Sequence, residues 1–429
     1  MKRRSHASRL CVATGIVWTL LIAPRMRADG VDLHGRRPDG ETHAPVSAFL
    51  DLRPRPPVGV PEVSITTAGG VGVESREKSV DCRVSLDPRG LPDAAGRPLA
   101  ALPATPAKIR GRGNTTWSYP KKPYRVKFDE PLDLLGMGAA RTWVLLADYI
   151  DPSGLRNATA FELGRRLGLP FTPQCRHVWL ILDGEPRGLY LLTEQTEVAP
   201  QRVVTDPTAG FLVEFDDYDG EEIFSTPVLD LPLKIKRPDV AEMKPDARAA
   251  EVARIVGIFT RIEETIAAPD GPGDYAALLD VDALVDWLLA HEITHNAEPR
   301  HPKSCFFHRG PDGRIVAGPL WDFDWAYDYE GDANAGLVLR DAFWFKYLYR
   351  DPAFRATVRA RWRAIKAPHV DSLPTFIDSL AAAIAPAVDA DRRLWPEDDD
   401  VRTPADAARL HAWLETRIAA LDAAIGVLD

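Results

Sequence analysis

Cysteine is scarce in this chain, with four in 429 residues, at positions 11, 82, 175 and 305. Their scattered spacing makes no zinc or redox motif. At most one disulfide can form once Cys11 leaves with a leader, and the expected role of the others is as small buried hydrophobes. An excess of positive charge is also missing. A net charge of −9 and a pI near 5.7 exclude a general nucleic-acid binder, which needs a basic field over its surface. Beyond the first 23 residues no run reads as long and apolar enough to span a bilayer, and there is no internal repeat. Proline and tryptophan are plentiful, with 37 and 11 copies, which argues for a folded chain with many loops. Apolar content of 45% and charged content of 27% are ordinary for a globular protein. The length suits one large domain or two modest ones.

The N-terminus carries Lys2, Arg3, Arg4 and Arg9 ahead of an apolar run at 10–23. A basic n-region followed by an h-region is the pattern of an export signal. Residues 1–28 are therefore expected to be a signal peptide or signal anchor, with cleavage between Ala23 and Gly30. The expected destination is secreted or associated with the cell envelope, after transient contact with export machinery. Residues 29–60, rich in Pro, Asp, Arg and Gly, read as a flexible arm. Residues 61–400 are expected to form the main domain, and 401–429 a C-terminal helix packed on it or following it.

Along the main domain, 62–67 and 80–86 read as strands of a small β unit. Residues 124–128 alternate apolar and polar as a half-buried strand does. A buried strand at 143–147 precedes a helix that is capped by Asp151 or Ser153 and stopped by Gly168. Strands follow at 177–182 and 188–192, joined by an Asp183-Gly184 turn, and another at 211–215. Helices are expected at 246–266, 281–293, 342–346, 352–365, 373–390 and 404–428. Strand, helix, several antiparallel strands and then helices make an α+β order, unlike the repeated βαβ of a doubly wound sheet.

Two stretches carry chemistry. In 286–328 a helix ends in a polar loop at 295–304. An apolar run, a turn at 310–313 and a second run then lead to Trp321-Asp322-Phe323-Asp324. A hairpin brings its ends together, so Asn296, Glu298 and Lys303 are expected beside Asp322 and Asp324. Carboxylates and an amide gathered in this way suit a hard divalent ion; the competing reading is a solvated acidic turn. The aspartates are two residues apart and share a face in a regular strand, so either or both can serve. In 108–130, Gly111 and Gly113 sit among Arg110, Arg112 and Asn114, ahead of a strand with Lys127. Such a loop brings backbone N–H groups and guanidinium forks to phosphates. It is neither a G-x-G-x-x-G nor a Walker sequence, and a basic solvated hairpin is the competing reading.

The segments Ile109-Arg110-Gly111-Arg112-Gly113-Asn114-Thr115-Thr116-Trp117, Lys121-Lys122-Pro123-Tyr124-Arg125-Val126-Lys127, Leu155-Arg156-Asn157, Gly188-Leu189-Tyr190-Leu191-Leu192-Thr193-Glu194-Gln195 and Gly318-Pro319-Leu320-Trp321-Asp322-Phe323-Asp324 resemble the CotH kinase family. These are secreted or spore-coat proteins with an atypical protein-kinase-like fold. The resemblance implies a bilobal α+β fold with a β-rich N-terminal lobe and a mainly helical C-terminal lobe. It implies ATP-dependent phosphorylation of serine on secreted or surface proteins, with Mg2+ or Mn2+. It also implies roles for residues. Arg112, Lys127 and Arg156 would meet phosphates, and Glu194 would orient a lysine or bind metal. Asp322 and Asp324 would hold metal with Asn296 as a neutral ligand, and Glu298 would accept the serine proton. An ordinary glutamate is ionised at neutral pH and needs no special pKa for that task. The family usually has aspartate where Glu298 stands, and a misplacement of about 1 Å costs on the order of 100-fold in rate. A catalytically weak pseudokinase acting as an envelope- or coat-associated binding protein is the alternative reading. A metal-dependent hydrolase and a purely structural protein are further ones.

Overall fold

A computed structural model describes residues 59–428 apart from 94, 219, 330 and 397–405. The expected leader, its cleavage site and nearly all of the arm lie outside the described residues. Seven strands close into a barrel: β1 (Glu62–Thr67), β2 (Val80–Asp87), β3 (Leu102–Gly111), β4 (Tyr124–Asp133), β5 (Ala139–Leu146), β6 (Cys175–Leu182) and β7 (Glu185–Glu194), in the order β1-β2-β3-β4-β5-β7-β6. All pairings are antiparallel except β1 with β6, which closes the ring in parallel. Alternate residues such as Ile65, Val84, Ile109, Val126, Phe128, Trp143 and Leu180 fill the interior, as a two-residue side-chain period requires. The β6–β7 turn is Asp183-Gly184, both at positive φ. The strands expected at 62–67 and 80–86 are thus part of the barrel wall and not a separate small unit.

Between β5 and β6 lies helix α1 (Arg156–Leu167). Gly168 ends it in the left-handed conformation, its N–H donating to the carbonyls of Arg165 and Gly164. Asp151 accepts from the backbone N–H of Arg156 at 2.9 Å, and Ser153 from that of Leu155 at 3.2 Å, so both expected capping residues serve this end. Past the barrel, a second sheet of order β12-β11-β8-β10-β9 forms from β8 (Leu212–Phe215), β9 (Phe224–Ser225), β10 (Pro232–Arg237), β11 (Cys305–Arg309) and β12 (Ile315–Ala317). The remainder is helical: α2 (Pro245–Ile266), α3 (Val281–Ile293), α4 (Phe345–Leu348), α5 (Pro352–Ile365), α6 (Leu373–Leu394) and α7 (Ala407–Gly426). The fold is therefore mixed α+β, β-rich towards the N-terminus and helical at the C-terminus. By length and composition the run Pro352–Leu394 is apolar enough to cross a membrane, contrary to the reading of the sequence. Its Phe354, Val358, Trp362, Ile365, Leu373 and Ile377 belong to the main hydrophobic core, and α6 packs on α7 and β7. Cys82, Cys175 and Cys305 are free and buried, as expected of small hydrophobes.

One buried ion pair fixes the end of α3, from which the candidate site projects. Arg417 of α7 and Glu292 of α3 have fully buried side chains 3.2 Å apart. Arg417 also donates to the carbonyls of Glu292 and Gly336 at 2.9 and 3.2 Å. The Glu292 carboxylate accepts from the backbone N–H groups of Val338 and Leu339 at 2.7 and 2.8 Å. Removing one partner of such a pair strands the other in a dry interior. Arg417→Met is therefore expected to cost about 3–5 kcal/mol, read as a lower urea midpoint. A loss under about 1 kcal/mol, the scale of an exposed pair, would show that the pair is not holding the loop.

Candidate functional site

The acidic side of the site starts where α3 ends. Residues 294–297 leave the helix, and Glu298 opens a 3-10 turn whose second residue is Pro299. Asn296 staples this loop to the segment after β12. Its Oδ1 accepts from the N–H of Glu298 at 3.1 Å and its Nδ2 donates to the carbonyl of Asp322 at 3.3 Å. Asp322 is not in a strand and has φ +63°, a left-handed backbone that Asn and Asp tolerate better than most residues. Regular strand geometry is therefore not what brings the two aspartates together. Both nonetheless line the same cavity, and Asp322 is close enough to raise the Asp324 pKa. Ser304 Oγ donates to Asp322 at 3.2 Å and its N–H to Asp216 at 3.2 Å, tying in a third carboxylate. Asp216 is paired with buried Lys234 at 2.6 Å.

This gathering of negative charge has consequences for protonation. The Glu298 carboxyl is pushed well above its ordinary range, first by burial and then by the charges of Asp322, Asp324 and Asp216. That corrects the expectation of an ordinary glutamate. Asp324 is likewise pushed well up, by burial and then by Asp322. Glu298 Oε2 is shielded from solvent without a hydrogen-bond partner, a costly state for a buried oxygen. Adjacent carboxylates with an orphaned carboxyl oxygen and a nearby amide oxygen are hard oxygen donors of the kind Mg2+ or Mn2+ takes. Among the described residues, no group of three or more His, Cys, Asp or Glu side chains is arranged to hold an ion.

The basic side comes from the barrel. Gly111 ends β3 against the ring of Trp117, where a Cβ would lie 2.4 Å from ring carbons. Gly113 has φ +83° and has no room for a Cβ beside Thr116. Between them Arg112 sets its guanidinium 5.2 Å from the Trp321 ring centroid, with the charges of Asp322, Glu214 and Asp324 nearby. Arg110 and Arg125 face each other across β3 and β4, and the Nε of Arg125 is buried without a partner. Like charges directly opposite in a sheet are destabilising. Burial lowers the Arg125 pKa first, and the charges of Arg110, Arg237 and Arg112 lower it further against that of Glu197. Two contiguous cavities of about 530 and 570 Å³ share Arg112, Glu214, Asp216 and Trp321; the first holds Arg110 and Arg125, with Glu77, Glu197 and Glu221 also in its lining, and the second holds Asp322, Asp324 and Glu298.

The other residues singled out in the sequence stand elsewhere. Lys127 is exposed on β4, two residues beyond Arg125, and lines neither cavity. Arg156 is buried and fully engaged: it donates to the carbonyls of Ile150 and Asp324 at 3.4 and 3.1 Å and pairs with Asp328 at 3.0 Å. Together with Asn157, whose Oδ1 accepts from the N–H of Phe323 at 2.9 Å, it clamps the segment that carries Asp324. Glu194 accepts from Arg202 at 3.3 Å and from the N–H of Gln174 at 2.9 Å. Its cationic partner is thus Arg202, in the loop that follows β7. Arg110 stands where the glycine-bearing loop placed it, whereas Asp216, Lys234, Ser304, Arg125 and Trp321 are site-lining or site-supporting residues that the sequence pattern does not single out. The acidic loop after 215 and the motif holding Arg125 are the available signals.

A family model described as CotH kinase protein matches residues 109–421, a stretch that holds both sides of the cleft. No curated protein matches the chain.

Proposed function

The chain belongs to the CotH kinase family, and on that premise we propose that it is a bilobal, kinase-like phosphotransferase that moves the γ-phosphoryl group of ATP to serine on secreted or surface proteins. The barrel is one lobe in this reading, the helical part the other, and the nucleotide lies between them. One observation carries the proposal. Arg110, Arg112 and Arg125, for which no ion pair forms among the described residues, line one continuous cleft with the carboxylates Asp322, Asp324 and Glu298. Phosphoryl transfer needs little else: cations for the phosphates, carboxylates for metal, and one carboxylate for the hydroxyl proton.

Asp322 and Asp324 would hold the cation, with Asn296 Oδ1, from the loop after α3, as a neutral oxygen. When bound there, Mg2+ or Mn2+ supplies charge neutralisation on the transferred group. Trp321 and the arginines fix the nucleotide. The serine oxygen bonds to the γ-phosphorus as the bond to the ADP oxygen breaks. The bonding pair leaves on ADP and the hydroxyl proton passes to Glu298. The two aspartates are among the causes that raise the Glu298 pKa, so positive charge beside them brings it down towards the working range of a general base. The glutamate is longer by a methylene than the family's usual aspartate and sets its carboxyl farther from the loop backbone.

Nucleotide affinity tests the basic side. Arg112→Ala is expected to weaken ATP binding roughly tenfold or more, the worth of a hydrogen bond to a charged group. Lys127→Ala should leave it unchanged, because Lys127 stands outside the cleft. Equal affinities for wild type and Arg112→Ala, measured by titration calorimetry with Mg2+, would return the glycine-bearing stretch to a solvated basic hairpin.

A further inference from the structure

A second groove lies against the loop that carries Asn296 and Glu298. It encloses about 800 Å³, and His295 and Ala297 line both it and the carboxylate cavity. Its charge is opposite to that of the chain as a whole. Four exposed cations, Arg300, Arg340, Lys346 and Arg350, meet a single carboxylate, Asp341. Asp341 is occupied by Arg300. Arg350 donates to two backbone carbonyls, those of Ala268 and Pro269. Arg340 and Lys346 have no acidic partner among the described residues; their only neighbours of note are the Tyr349 and Tyr347 rings. In a chain with a net charge of −9, four cations against one carboxylate, two of them without an acidic partner among the described residues, make a local field that selects its partner by sign.

The groove wall is also held in place. Val338 and Leu339 donate to Glu292, and Arg417 donates to the carbonyls of Ala335 and Gly336. A segment entering the groove therefore meets a formed surface and loses little to ordering it.

Resting on the phosphotransferase reading, we propose that this groove docks an acidic segment flanking the serine to be phosphorylated, so that the substrate class is serine-containing protein with glutamate or aspartate close to the acceptor. Because His295 and Ala297 line both the groove and the carboxylate cavity, a chain whose serine is at Glu298 would have its neighbouring residues at the groove mouth. Acidic side chains there pair with Arg340 and Lys346. Basic ones meet four like charges.

The test is fluorescence anisotropy on the full exported chain with three labelled peptides. Each has one serine, flanked by glutamates, by glutamines or by lysines. ATP affinity is measured alongside. The glutamate peptide is expected to bind best, and its affinity to fall as salt is raised. Arg340→Glu with Lys346→Glu, two exposed changes that break no ion pair, should weaken it about tenfold or more with ATP affinity retained. Equal binding of the three peptides, or an unchanged affinity in the double variant, overturns the groove assignment while leaving the nucleotide reading intact. If wild type binds no ATP and the glutamate peptide is still selected and lost in the variant, the groove stands as an acidic-protein site and the phosphotransferase reading falls.

Discussion

Glu298→Gln is expected to slow phosphoryl transfer to serine about 10²–10⁴-fold, the usual contribution of a general base, while ATP affinity stays within roughly threefold. The substitution keeps the side chain's length and the backbone N–H bond to Asn296. It removes the one carboxyl oxygen in the loop that is buried without a partner. Glutamine cannot take a proton from the hydroxyl, so the loss falls on the chemical step. A fall in ATP affinity to match the fall in rate would instead mark Glu298 as part of nucleotide or metal binding. Glu298→Asp restores the residue usual in the family. A rate above wild type would show that the extra methylene detunes the site, and a lower rate that the loop has adapted to glutamate.

Asp322→Asn is expected to cut transfer about 10²–10³-fold, in the range seen when a group stabilising transition-state charge is removed. Asparagine is chosen over alanine because it tolerates the positive φ at this position and keeps an acceptor for Ser304. The signature that separates a metal ligand from a structural residue is thermal. In wild type the folded-state pKa values of Glu298 and Asp324 are raised above their unfolded values. The stability these groups contribute is present below the unfolded carboxylate pKa, about 4. It is lost as pH rises through the folded values. Above the unfolded carboxylate pKa the metal-free protein is thus destabilised by the burial and mutual repulsion of these carboxyls, and a cation beside them relieves it. Asp322→Asn should therefore melt at or above the wild-type temperature in chelator. It should also lose most of the Mg2+-dependent rise in Tm that ligand linkage gives the wild type. A variant that melts lower in chelator and keeps the full Mg2+ response would remove Asp322 from the metal site.

Much of the framework was legible in the sequence because local physics agreed with it. The alternation in 62–67 and 124–128, the Asp183-Gly184 turn and the Gly168 helix stop each specify their geometry within a few residues. Strand β3 carries no clear strand signal in the sequence, since Pro103, Pro106 and Gly111 are poor strand formers. Pairing on both sides, to β2 and β4, overrides that propensity. Barrel closure rests on the parallel β1–β6 pair, which leaves no turn signal. In the site, Asn296, Glu298, Asp322 and Asp324 were legible through the hairpin that joins them, whereas the left-handed backbone at Asp322 was not. Lys127 and Arg125 share a strand face, and sequence does not say how far along that face the cleft extends. Arg156 and Glu194 enter as site candidates only through the family resemblance of the segments that hold them. Their partners Asp328 and Arg202 come from other segments and occupy them.

The most direct test is transfer itself. Purified chain with γ-labelled ATP and Mg2+ or Mn2+ is offered a serine-containing acidic protein, and the label is located by mass spectrometry. The expected result is phosphoserine whose formation needs the divalent ion and disappears in Asp322→Asn and Glu298→Gln. Absence of ATP binding with either metal would contradict the account at its root; binding of ATP without transfer to any serine, its own included, would make the chain a pseudokinase.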